Sequence, residues 1–288
     1  MERASLYSRG RFQHRAGAGY HHGKRTRDDM TTIELTFLGT GTSNGVPMIG
    51  CTCGVCLSTD PRDKRLRTSA VVRDVADDRT YLIDTGPELR VQALANDLHH
   101  VDAVLYTHGH ADHTAGLDDM RRFNELQATR IPAFANDVAA EMIRERFSYA
   151  FAPWLGFWGG KPDLDLTTVD GSFQPFGRSI ISLPVQHGRL PILGFRIGPL
   201  SYVTDAKQIG DDTMALLAGT DTLVLNALRE RPHPTHLSID EALAVIDRVG
   251  PRQTWLTHLS HEIGHAVVDA QLPDGVNLAY DGLTVRIG

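Results

Sequence analysis

One short stretch constrains this chain more than any other, the run THGHADH at residues 107–113. It places three imidazoles and one carboxylate within six residues, directly after the apolar run VLY, which predicts a buried strand. Such side chains would repel or desolvate one another unless a positive ion held them together. Neutral imidazole nitrogens and carboxylate oxygens suit zinc, manganese or iron. The stretch therefore predicts a divalent metal site at a strand end, in preference to a chance cluster of polar surface residues.

The composition is that of an ordinary globular protein. The chain has 288 residues, 41% hydrophobic and 22% charged, which suits one large domain or two modest ones. No apolar run approaches the roughly 18 residues of a membrane helix, so we expect no membrane partner.

The charge is unevenly distributed along the chain. Seven basic and three acidic residues give residues 1–29 a net charge of +4, which leaves −10 for the rest within a total of −6. An acidic body makes nucleic acid a secondary alternative as partner, and homodimerisation stays open.

The first 29 residues differ from the remainder. They lack apolar periodicity and a hydrophobic h-region, so they do not match a secretory signal. Met30 stands directly before a well-patterned strand. We expect 1–29 to be a disordered basic tail, or sequence upstream of the true start, and 30–288 to form the folded domain.

The three cysteines lie together in CTCGVC at 51–56. Three thiols cannot pair off, and neighbours this close make poor disulfide partners, so a reduced, cytoplasmic compartment and a bound metal are expected. Three thiolates can occupy one face of a metal, whereas a closed structural zinc site needs a fourth ligand. A histidine from elsewhere in the chain must complete such a site.

Predicted strands and helices share the rest of the chain, and polar residues recur where strands end. The polar residues that follow predicted strands are Asp84, His187, Asp205 and His258. Strands lying side by side in a sheet bring such ends together, so the pattern predicts an α/β scaffold that builds one metal site. Ser238 and Glu241 predict a capping box that opens a helix. The pair at 281–282 (DG) predicts a closing hairpin, and the aromatic-rich segment 148–164 predicts either a lip over a substrate site or ordinary packing under a loop.

The metal pattern resembles that of a known family. The run HxHxDH at 108–113, followed by isolated His187, Asp205 and His258, resembles the metallo-β-lactamase superfamily over about residues 33–288. The resemblance implies an αββα sandwich, two mixed sheets flanked by helices, with two metal ions in a cleft. It implies that one ion is held by His108, His110 and His187, the other by Asp112, His113 and His258, and that Asp205 bridges them. Asp84 matches an acidic motif whose role is mainly structural.

Within that superfamily the chain looks most like the PhnP-type phosphodiesterases. The features that carry this likeness are LGTGT at 38–42, the cysteine loop, and THLSH at 257–261. The likeness implies a structural zinc held by Cys51, Cys53, Cys56 and His261, and a catalytic histidine at His236, with His233 as its rival. It also implies hydrolysis of a small phosphodiester, such as a ribosyl 1,2-cyclic phosphate, by a hydroxide activated between two manganese or zinc ions, in which Asp112 and His236 act directly.

Three other interpretations compete. HEIGH at 261–265 matches the zinc-protease pattern HExxH, which needs a helix to turn both histidines to one metal. Gly264 weakens such a helix by roughly 1 kcal/mol, so we interpret this match as coincidental. The tRNA 3′-processing nucleases of the same superfamily share the dinuclear motif, but they resemble the chain less at the cysteine loop. PqqB-type cofactor-biosynthesis proteins carry the cysteine site and a degraded metal motif, whereas the motif here is complete.

Overall fold

A computed structural model describes residues 32–153 and 160–288. The expected basic tail 1–29 lies outside these ranges. So do Trp154, Phe157 and Trp158 of the aromatic segment.

Fourteen strands in the described ranges form two seven-stranded sheets. The first sheet contains β1 (Ile33–Gly39), β2 (Ser69–Asp74), β3 (Arg79–Ile83), β4 (Ala103–Leu105), β5 (Ile131–Ala135), β6 (Leu164–Thr168) and β14 (Thr284–Ile287). Its strand order is β14-β1-β2-β3-β4-β5-β6. The second contains β7 (Ser172–Phe173), β8 (Ile180–His187), β9 (Leu190–Ile197), β10 (Leu200–Val203), β11 (Thr222–Asn226), β12 (Gln253–Thr257) and β13 (Val276–Leu278). Its order is β13-β12-β11-β10-β9-β8-β7, and each sheet is antiparallel at one end and parallel at the other.

Helices connect the strands. They are α1 (Leu89–Ala95), α2 (Ala111–Thr114), α3 (Met120–Gln127), α4 (Asp137–Arg146), α5 (Ser148–Phe151), α6 (Asp211–Leu217), α7 (Ile239–Val249) and α8 (His265–Asp269). The predicted capping box is present at the start of α7, where the Ser238 side chain accepts from the Glu241 N–H and the Glu241 carboxylate accepts from the Ser238 N–H. It satisfies two N–H groups that the first turn of a helix leaves unpaired.

The four layers follow from which side chains each strand buries. In β11, Val224 points into the core between the two sheets, whereas Leu223 and Leu225 pack on the other face beneath helices. In β4, Ala103 and Leu105 face the second sheet and Val104 faces the outer helices. Strands covered on both faces read as continuous apolar runs, which is why they were visible in the sequence. The αββα sandwich of two mixed sheets is therefore confirmed.

The predicted closing hairpin is wrong. β13 pairs with β12 in the second sheet and β14 pairs with β1 in the first, so the turn at 281–282 connects two sheets. The Asp281 carboxylate explains the turn, because it accepts hydrogen bonds from Thr40 N–H and Oγ1 and from Leu66 N–H, at 2.7–2.9 Å. Burial raises the pKa of Asp281 to about 6. The Asp281 carboxylate therefore joins the turn at 281–282 to Thr40 and Leu66, beside the predicted metal site.

None of the helices in the described part of the chain combines the length and the apolar character that a bilayer crossing requires.

Candidate metal centre

Three of the residues predicted at strand ends have an uncommon backbone conformation. Asp84 directly follows β3, Asp205 comes two residues after β10, and His258 directly follows β12. Their φ angles are 61°, 58° and 58°, in the left-handed region that side chains other than glycine rarely adopt. Each costs of order 1–3 kcal/mol unless the surrounding structure compensates, and such residues cluster at functional sites. The chain thus turns sharply at the ends of strands from both sheets and aims these side chains at one point.

The seven residues predicted as active-site ligands converge there. Three groups have side-chain ligand atoms that all lie within 4.8 Å of one another. They are His108, His110 and His187; His108, His113 and Asp205; and Asp112, Asp205 and His258. Asp205 belongs to two of these three groups and contacts both His113 and His258. Its carboxylate oxygens lie 3.4 Å and 3.2 Å from their Nε2 atoms. This position is the one expected of a residue between two ions.

Four of the five histidines have one ring nitrogen held by the protein. Nδ1 of His113 donates to the Asp84 carboxylate at 2.6 Å, and Nδ1 of His187 donates to the Thr235 carbonyl at 2.8 Å. Nδ1 of His108 lies 3.0 Å from Thr107 Oγ1 and Nδ1 of His258 lies 3.1 Å from Thr68 Oγ1. Fixing one nitrogen sets the tautomer and turns the other nitrogen to the metal, which is the usual arrangement of metal-binding histidines.

The buried charges of the cluster are strongly coupled. Burial alone would lower the pKa of His113, but the carboxylates of Asp205, Asp112 and Asp84 outweigh it and raise that pKa well above its usual range. Conversely, burial would raise the pKa of Asp205, but His258 and His113 hold it well below its usual range. Burial lowers the pKa of His258 to about 4, so this imidazole is neutral and able to bind a metal.

The donor set fits divalent metal. Nε2 of His113 is buried and forms no hydrogen bond, although it lies 3.4 Å from carboxylate oxygens of both Asp112 and Asp205. A buried nitrogen without a partner is costly, and a metal ion shared with those carboxylates would satisfy it.

His236 lies beside this cluster. Its Nε2 is 3.2 Å from Asp205 Oδ1, and its ring is 4.6 Å from the ring of His187, centroid to centroid. The rival, His233, lies one step further out, with its Nδ1 3.1 Å from Nδ1 of His236. The geometry therefore places His236 against the cluster and His233 behind it. His187, Asp205 and His236 also form a group with metal-ligand spacing, which the sequence did not suggest.

The cysteine loop forms a second, separate group. Sγ atoms of Cys51, Cys53 and Cys56 lie 3.3, 3.4 and 3.8 Å from Nδ1 of His261. The hydrogen bond from the Cys56 N–H is the main cause that lowers the pKa of Cys53 to about 6, which favours the thiolate that zinc binds. The three cysteines are free thiols, and this four-residue set fits a closed tetrahedral site.

The zinc-protease interpretation of 261–265 fails. His261 lies in a turn with the cysteines, and α8 begins only at His265, so no helix presents both histidines to one metal. The His265 ring is buried and packs edge-on against Tyr280.

Sequence reasoning missed the residues that hold the ligands in place. Thr68 precedes β2, and its hydroxyl bridges the Gly41 carbonyl and the His258 ring. Thr235 acts through its backbone carbonyl, which no residue-type pattern reveals. Threonines have too many ordinary roles for either to have been singled out.

Comparison with known proteins agrees with this geometry. The family model described as "Beta-lactamase superfamily domain" matches residues 79–259. A crystal structure of a new diphosphatase from the PhnP family superposes with a TM-score of 0.82 and 40% identity, covering 89% of this chain and 98% of that one. Zn(2+)-bound PqqB from Methylobacterium extorquens superposes with a TM-score of 0.70 and 20% identity over 88% of this chain and 99% of that one, which shows a shared fold.

A curated relative, an octanoyltransferase from Porphyromonas gingivalis, is 38% identical over 88% of this chain. The aligned part is 52% of that protein, so the chain spans about half the length of this relative.

The chain belongs to the β-lactamase superfamily. Its fold, its ligand pattern and its match to a PhnP-family diphosphatase support a metal-dependent hydrolase. Within the superfamily it is of the PhnP type, as the extent and identity of the PhnP-family match show. The His/Asp cluster and the fold together indicate divalent metal in the cluster.

Proposed function

We propose that this chain hydrolyses phosphodiesters of small molecules. The observation that carries the proposal is the position of His236, an imidazole against Asp205 at the edge of a complete ligand cluster. The match to a PhnP-family protein over most of both chains supports it. A cluster meant only for binding has no need of an additional imidazole beside its central carboxylate.

We further propose the number and nature of the metals. Two manganese or zinc ions in the cluster and one zinc in the cysteine site suit the donor sets, since thiolates select zinc and imidazole with carboxylate suits either metal. The ligands are those predicted, with His108, His110 and His187 on one ion, Asp112, His113 and His258 on the other, and Asp205 between. Ions bound there would supply Lewis acidity and an activated water for attack at phosphorus.

The chain's own residues would supply the remaining chemistry. His236 can donate a proton through Nε2 to the departing oxygen, because that atom points to the cluster and Nδ1 points away, to Thr235 and His233. Asp112 and Asp205 hold their negative charge deep in the site, where it balances part of the charge of the ions. Because the two carboxylates cancel only part of that charge, the cluster would stay net positive, and a singly charged phosphodiester could enter without a strongly basic protein surface.

A small cavity adjoins His236 at the edge of the cluster. It measures about 230 Å³ and is lined by residues 42–45, Met48, Leu228, Arg229, His233, His236 and 260–262. Pockets for drug-sized ligands are typically about 300–1,000 Å³. We propose a small cyclic phosphate, such as a ribosyl cyclic phosphate, as the substrate.

A second candidate is a diphosphate. The PhnP-family structure that is 40% identical to this chain is described as a diphosphatase. Hydrolysis of a phosphoanhydride would use the same cluster, but its leaving group is a phosphate that needs less help from His236.

A substrate panel tests these proposals. Purified protein would be assayed with a ribosyl or nucleoside cyclic phosphate, a linear phosphodiester, a nucleoside diphosphate ester, a precursor tRNA and a β-lactam. We expect turnover of a small phosphorus ester, lost on chelation and restored by added manganese or zinc. Preference for precursor tRNA would favour the tRNA 3′-processing alternative. Metal binding without turnover of any panel member would favour the PqqB-like, non-catalytic alternative.

A further inference from the structure

His110 differs from the other four histidines of the cluster. Within the described residues, its ring has a hydrogen-bonding contact only with the ring of His108, where Nδ1 lies 3.1 Å from Nε2. His108 and His110 both belong to the same proposed metal-binding group, so this contact does not anchor His110 to the protein outside that group. His110 is also only half-buried, whereas the other four are buried. Its position must therefore be set by its backbone.

That backbone is held by a residue far away in the sequence. Arg146, the last residue of α4, donates through Nη1 to the Gly109 carbonyl at 2.6 Å and to Thr114 Oγ1 at 2.7 Å. The Thr114 hydroxyl in turn donates to the His110 carbonyl at 2.9 Å. The Arg146 guanidinium thus holds the Gly109 carbonyl directly and the His110 carbonyl through the Thr114 hydroxyl.

Close packing of α4 reinforces this contact. A Cβ atom at Gly109 would lie 2.7 Å from Met142 Cβ and 2.9 Å from its Sδ, so only glycine lets the helix approach this closely. Within the described chain Arg146 forms no ion pair with a carboxylate. Its charge is therefore directed at backbone and hydroxyl oxygens of the ligand loop, by which we mean residues 107–114.

We infer that Arg146 is a positioning residue for the metal site, which sets His110 by clamping the backbone around it. The inference rests on the proposed metal site. Loss of a residue that orients a metal ligand typically lowers metal affinity 10–100-fold. The affected ion is the one shared by His108, His110 and His187.

The chain supplies a matched control two residues away. Arg144 lies on the same helix, is likewise exposed, and donates through Nη2 to a carbonyl at 2.7 Å, but that carbonyl belongs to Leu166 in β6. Arg144→Met and Arg146→Met therefore remove the same donor group from one helix turn. Only the second touches the ligand loop.

Cobalt binding to the full-length chain tests the inference directly. Metal-free wild type, Arg146→Met, Arg144→Met and Arg146→Lys would be titrated with cobalt against a chelator. The thiolate charge-transfer band and the intense visible bands of tetrahedral thiolate-bound cobalt report the cysteine site, and the additional weak visible bands report the histidine cluster. We expect Arg146→Met to weaken cluster binding by about 10–100-fold and to alter its visible bands, with the thiolate band unchanged. Arg144→Met should behave as wild type, and Arg146→Lys should recover part of the affinity.

Two results would overturn the inference alone. One is wild-type cobalt affinity in Arg146→Met, and the other is equal weakening in both methionine variants, which would indicate a general effect of α4. If wild type itself bound cobalt only at the cysteines, the proposed function would fall, and this inference with it.

Discussion

The histidine cluster and the cysteine site are built in opposite ways. The cluster gathers residues from 84 to 258, taken from strand ends of both sheets, and buries most of them. The cysteine site takes three ligands from one six-residue loop, and only Cys56 of its four residues is buried. The first depends on the whole fold being in place. The second can form from a local loop and a single distant histidine.

The histidine cluster and the cysteine site also differ in their electrostatics. Around the cluster, buried carboxylates and imidazoles shift one another's pKa values strongly, and the additional imidazole of His236 stands beside the proposed ligands. Buried carboxylates and imidazoles that perturb one another in this way are typical of sites that do chemistry. The group at the cysteine site consists of four residues, the three cysteines and His261, which is the number of ligands in a closed structural zinc site. The difference supports the proposal that the histidine cluster is the catalytic centre and that the cysteine site stabilises the fold.

The largest expected effect comes from Asp205, the residue proposed to lie between two ions. Asp205→Asn removes a buried charge between His113 and His258, and loss of several kcal/mol of transition-state stabilisation lowers turnover by roughly a thousand-fold or more. Elemental analysis should show loss of cluster metal and retention of one zinc per chain. Loss of the cysteine-bound zinc instead would show that the two sites do not bind metal independently.

His236→Ala should have the next largest effect, and a selective one. General acid catalysis typically contributes 10²–10⁴-fold, so esters with poor leaving groups should slow by about that factor. Activated esters, which need no proton, should slow far less. His233→Ala serves as the comparison, because it removes the ring that contacts Nδ1 of His236 and leaves His236 itself in place. Equal slowing of both kinds of ester by His236→Ala would assign His236 to metal binding.

Thr68→Val should act more weakly and through metal affinity. It keeps the shape of the side chain but removes the hydroxyl that His258 Nδ1 contacts, so cluster metal should bind about tenfold less tightly. Thr36→Val is the control, because the Thr36 hydroxyl pairs with Thr284 on an exposed part of β1. Chelator competition measures both. Unchanged affinity in Thr68→Val would show that His258 needs no such support.

Cys53→Ser should change turnover least and stability most. The variant should lose its structural zinc and melt at a lower temperature, by roughly 2–4 °C for each kcal/mol lost. Thr52→Ser, an exposed position in the same loop, is the control. Turnover per bound cluster metal should match the control. Lost turnover at unchanged melting temperature and zinc content would reject a structural role.

The sequence revealed most of the fold because buried strands on both sides of the sandwich are continuous apolar runs, as in β11. It also revealed which polar side chains converge at one place, because histidine and aspartate recur where those runs end. It did not reveal that Asp281 joins two sheets, since a turn dipeptide carries no information about which strands follow it. Nor did it reveal Arg146 or the Thr235 carbonyl, because backbone contacts across long sequence separations leave no local pattern.

The most direct test of the account is the turnover of an activated phosphodiester by Asp112→Ala. Asp97→Ala serves as its control, because Asp97 is exposed and its ion-pairing partner is His99, at 3.7 Å. With the cysteine-bound zinc retained in both variants, we expect Asp112→Ala to lose nearly all activity and Asp97→Ala to lose none. Retained activity in Asp112→Ala would contradict the claim that this cluster is the catalytic centre.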